Sequence, residues 1–61
     1  MNEFEKAKAY ITDKNNSLKG TSEKVDISLP RLKAYRANPE KLRTAAWIRV
    51  HELAKLYDEK N

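Results

Sequence analysis

General acid–base chemistry in this chain would have to run through His51, the single histidine among 61 residues, and thiol chemistry is excluded because there is no cysteine. Glu52 stands beside His51 and Lys55 follows one turn later, but neighbours on a helix point about 100° apart, so carboxylate and imidazole do not converge. The remaining residues assemble no serine–histidine–aspartate set, no inward-facing carboxylate pair, no phosphate loop and no metal-ligand cluster. We therefore expect no catalysis, no metal and no cofactor.

The second kind of chemistry is charge. The net charge is +4, unevenly spread: residues 14–43 carry eight basic and three acidic side chains, a local charge of +5, while the two ends are nearly balanced. A basic middle between neutral ends is the electrostatic footprint of a polyanion-binding surface. The candidate cations are Lys19, Arg31, Lys33, Arg36, Lys41 and Arg43.

Short amphipathic helices must position these groups. Phe4, Ala7, Tyr10 and Ile11 recur at spacings of three and four, predicting a helix from Asn2 to Thr12. Asp13-Lys14-Asn15-Asn16 is turn-prone, and Ser17 caps a second helix over 18–25. Gly20 lies inside that helix at a cost of about 1 kcal/mol relative to alanine, so the segment must lean on tertiary packing or a close backbone approach. Asp26-Ile27-Ser28 breaks the periodicity, with Asp26 tolerant of a left-handed backbone and Ser28 a good cap. A third helix follows over 29–36, with Pro30 in its first turn and Leu32 and Tyr35 on one face. Asn38-Pro39 restarts the chain, and Thr44 is placed to cap a last helix over 45–58. No segment alternates like a strand. The expected fold is all-α: one domain, residues 1–61, built as a compact bundle of four to five short helices. No apolar run approaches the roughly 18 residues that cross a bilayer, and no basic region followed by an apolar stretch opens the chain, so we expect a cytoplasmic protein without membrane contact.

Across Leu18 to Ala37 the sequence resembles the helix-turn-helix of the Cro and repressor family, the Xre type. Ser22 matches the small residue that lets the second helix of the motif cross closely, and Val25 matches the core residue ending the first. Ile27 matches the apolar residue after the turn, and Leu32 and Tyr35 match the two core positions of the recognition helix. Asp26 stands where the family usually has glycine. The resemblance implies a DNA-binding transcriptional regulator of the kind found in phages and mobile elements, associated with the nucleoid if bacterial or phage-borne. Its recognition helix, 29–36, would enter the major groove. Carried over by position, Leu29, Pro30, Lys33 and Ala34 would face base edges, Lys19, Arg31, Arg36, Lys41 and Arg43 would hold phosphates, and Ser28 at the helix start belongs to the same DNA-binding surface. Family members often read bases with Gln, Asn, Ser or Arg, and Leu29, Pro30 and Ala34 cannot make those bidentate contacts. The alternative is a helix-turn-helix turned to binding a protein partner, as an antirepressor or inhibitor.

On the last helix, Ala46, Trp47, Val50, Leu53, Ala54 and Tyr57 fall in one arc, which predicts that Trp47 anchors the core. Ile48 and Leu56 lie off that arc and form the expected contact of a homodimer, since Cro-like proteins commonly bind paired half-sites.

Overall fold

A computed structural model describes residues 1–60. Among them the chain forms four α-helices and one 3-10 helix, with no strand. Helix α1 spans Glu3–Thr12 and opens with a reciprocal cap: Asn2 Oδ1 accepts from Glu5 N at 2.8 Å, and Asn2 N donates to Glu5 Oε1 at 3.2 Å. Helix α2 spans Leu18–Lys24, and Ser17 Oγ accepts from Gly20 N at 3.1 Å, the expected cap. Helix α3 spans Leu29–Ala37 with Pro30 in its first turn, where the missing N–H costs nothing. The segment Pro39–Thr44 is a 3-10 helix, and α4 spans Trp47–Lys60. None of these helices is long and apolar enough to cross a membrane.

The frame is the α1–α4 pair, which makes the most extensive contact in the fold; α3 packs against α1, α2 and the 3-10 helix. Ile11, Leu32, Leu42 and Leu53 are the fully buried large aliphatic residues, one each from α1, α3, the 3-10 helix and α4. A core that draws one such side chain from each of four elements forms only when those elements come together.

The link between α2 and α3 explains why no glycine is needed there. Val25 and Ser28 have extended backbones (φ −125°, ψ 160° and φ −66°, ψ 152°), and no described residue has a positive φ. Side chains alternate along extended chain, so Val25 and Ile27 turn into the core while Asp26 and Ser28 face solvent. The left-handed conformation expected at Asp26 is therefore absent. Gly20 likewise supports no close approach: a Cβ there would meet only Ser17, at 3.6 Å. The buried hydroxyl of α2 belongs to Thr21 rather than Ser22. Thr21 Oγ1 donates to the Ser17 carbonyl at 2.7 Å and pairs with Tyr10 Oη at 3.0 Å.

The last helix departs furthest from expectation. It begins at Trp47, two residues late, and Thr44 belongs to the 3-10 helix, its hydroxyl donating to the Lys41 carbonyl. Trp47 is 67% exposed, so it is not the core anchor that its periodicity predicts. Trp47 instead stacks on His51 and lines an open surface depression beside Glu3 and Phe4, at the first turn of α1. The buried arc is rotated instead toward Leu56, which is 8% exposed and sits in the core with Leu53. Leu56 is thus unavailable for the expected dimer contact, and Ile48, 51% exposed, does not pair with it on any surface.

Candidate nucleic-acid interface

Helix α3 is anchored from below and at one end. Leu32 and Tyr35 are buried in the core. At the other side of the joint, α1 ends without a basic residue in its last turn, so the negative pole of its dipole meets no cation from its own helix. Arg36 supplies one from α3: Nε donates to the Ile11 carbonyl at 2.8 Å, and Nη2 donates to Asp13 and Asn16 carbonyls at 2.9 and 2.7 Å. Asn16, itself buried, donates from Nδ2 to the Tyr10 carbonyl at 2.9 Å and contacts Lys60 through Oδ1. Arg36 was expected to hold phosphate. Its guanidinium is committed to the protein backbone instead, so it positions α3 and is not a free cation.

With that anchoring, the opposite side of α3 faces out. Pro30, Arg31, Lys33 and Ala37 are exposed, and Leu29 and Ala34 are half-buried. Ser28 occupies the N-cap position of α3 but its hydroxyl makes no capping bond, so the group is left on the surface. Lys19 on α2 and Lys41 on the 3-10 helix are exposed as well, each on an element that touches α3.

The ion pairs cluster in one part of the molecule, although Arg49 and Lys55 of α4 make none with described residues. Among the described residues, Lys6 pairs with Asp58 at 2.9 Å, Lys8 with Glu40 at 3.7 Å, Arg43 with Glu40, and His51 Nδ1 lies 2.9 Å from Glu3 Oε1. All of these join α1, the 3-10 helix and α4. Lys14, Lys19, Lys24, Arg31, Lys33 and Lys41 make no ion pair or side-chain hydrogen bond with described residues. Lys14 and Lys24 were not singled out from sequence, because a lone surface lysine has no signal of its own until its neighbours' pairing is known.

Arg43 falls on the paired side. Its guanidinium lies 4.5 Å from the centre of the Phe4 ring and bonds Glu40. That hydrogen bond, with the charges of Arg43 and Lys8, holds the Glu40 carboxyl below the ordinary glutamate range. A cation already engaged by a carboxylate and a ring is less available to an external anion than the unpaired Lys33 or Lys41.

No protein-family model, curated protein or solved structure matches the chain.

Proposed function

We propose that the protein binds duplex DNA as a Cro- or repressor-like transcriptional regulator, presenting the outward side of α3 to the major groove. One observation carries the reading: every ion pair among the described residues lies in α1, the 3-10 helix and α4, whereas Lys19, Lys24, Arg31 and Lys33 on α2 and α3 meet no carboxylate. Unpaired surface lysines repel one another, and a polyanion is the ligand that relieves this by releasing its own counterions. Lys19, Arg31, Lys33 and Lys41 are the proposed phosphate and base contacts, with Lys24 beside them. Arg43 contributes at the rim at most, and Arg36 acts only by holding α3 in place.

Titration of short random duplexes at about 50 and 200 mM salt tests this. Binding by four or five free cations gives a log–log slope near −4. Absence of binding at the lower salt overturns the reading.

A second reading has its own observation. Trp47 and Ile48 expose large apolar surface at the start of α4, which would suit a protein partner or a second copy of the chain. It becomes the better account if DNA is not bound and Trp47→Ala or Ile48→Asp abolishes an association seen with the wild type.

A further inference from the structure

The outward side of α3 offers little to hydrogen-bond with. Opposite the buried Leu32 and Tyr35, the helical directions are taken by Pro30 and Ala37, flanked by Ala34 and Lys33. Arg31 points about 100° away from Pro30. The polar groups on this side are therefore the Lys33 ammonium and, at the helix entrance, the Ser28 hydroxyl, neither of them occupied within the protein. No amide and no carboxylate is present to distinguish adenine or cytosine by their exocyclic amines.

The major-groove edge carries one apolar mark, the C5-methyl of thymine. A pyrrolidine ring and alanine methyls recognise that group by removing it from water, and the unpaired Arg31 of α3, with Lys19 and Lys41 on the elements that touch α3, supplies the charge that would hold the duplex against them. We infer that α3 selects duplexes by their thymine C5-methyl groups, contacted by Pro30, Ala34 and Ala37, with Lys33 as the single charged base reader directed to guanine O6 and N7. This specificity rests on the DNA-binding reading of the same helix.

The test begins with short duplexes of randomised centre, enriched on the full chain at low salt. The enriched duplex is then remade with deoxyuridine in place of thymidine, which removes the methyl and leaves every base-pairing group unchanged. Affinity falls about fourfold for each contacted methyl, the loss expected for one buried methyl-sized group. Pro30→Ser and Ala37→Ser, first shown by thermal melts to fold, narrow the ratio between thymine and uracil duplexes without changing the salt slope. Equal affinity for the two duplexes, with salt dependence and Lys33 dependence intact, overturns the methyl readout and leaves DNA binding standing. So does a uracil penalty that persists undiminished in the serine variants. Failure to enrich any duplex overturns both.

Discussion

Arg36 reaches from α3 to the carbonyl of Ile11 at the end of α1, 2.8 Å from its Nε, and spans Asp13 and Asn16 with Nη2. One side chain thus caps a helix twenty-five residues away in sequence and fixes the element proposed to read DNA. Arg36→Ala should cost about 2–3 kcal/mol, the range for losing charge-assisted hydrogen bonds at a partly buried site. Arg36→Lys, with a point charge in place of a planar fork, should recover only part. Urea unfolding measures both. The salt slope of DNA binding by a folded Arg36→Gln variant, which removes the charge, should match the wild type; a drop of about one unit would return Arg36 to the phosphate contacts.

Gly20 has room for a side chain and ordinary helical backbone. Gly20→Ala should raise stability by about 0.4–1 kcal/mol, chiefly by restricting the unfolded chain. A lower urea midpoint would show that the α2 backbone is held more tightly than its surroundings indicate.

Leu56 and Trp47 exchange the roles that periodicity assigns them. Leu56→Ala should cost about 2–5 kcal/mol as a core truncation. Trp47→Ala, at an exposed helix start, should change stability by less than about 1 kcal/mol. Circular dichroism melts of the two variants should therefore rank them in the order opposite to side-chain size.

Glu40 gives the acid dependence. Its carboxyl titrates below the ordinary range because of Arg43 and Lys8, so its pairing stabilises the fold above the unfolded-state value of about 4.3. That contribution disappears as the pH falls through the lowered value. Glu40→Gln should melt below the wild type at neutral pH and low salt, and the gap should close in strong acid. Because Glu40 is exposed, the gap should also shrink as salt is added. A gap independent of pH would assign the effect to packing.

Helix positions were legible wherever a local signal set them. Ser17 and Pro30 mark their helix starts through side-chain and backbone geometry confined to a few residues, whereas the reciprocal cap of Asn2 and Glu5 went unread behind the apolar spacing of α1. The buried face of α3 was legible too, because Leu32 and Tyr35 are its core-facing pair. What the sequence could not carry was the offset of one helix against another. Trp47 has the right phase to be buried but stands at an open edge beside the first turn of α1, and a periodicity contains no information about where the partner's cover stops. Arg36 is the same problem for a polar group: nothing local distinguishes an arginine that caps a distant helix from one facing solvent. For the interface, the excess of cations was visible in residues 14–43, but which of them remain free emerged only once Arg43 and Lys8 were seen to share Glu40.

The exposed Trp47 has an optical consequence. It is the only tryptophan of the chain, and its indole stacks on the His51 ring with centroids 4.9 Å apart and planes 15° from parallel. Its emission in the native protein should already lie near that of a hydrated indole, and any change on heating will register separation from the imidazole rather than exposure of the interior. Tyr10 and Tyr35, both buried, are the chromophores that sense the interior. A melt followed at tryptophan wavelengths would therefore record fraying of one helix end, and near-ultraviolet tyrosine dichroism is the signal that tracks loss of the whole fold.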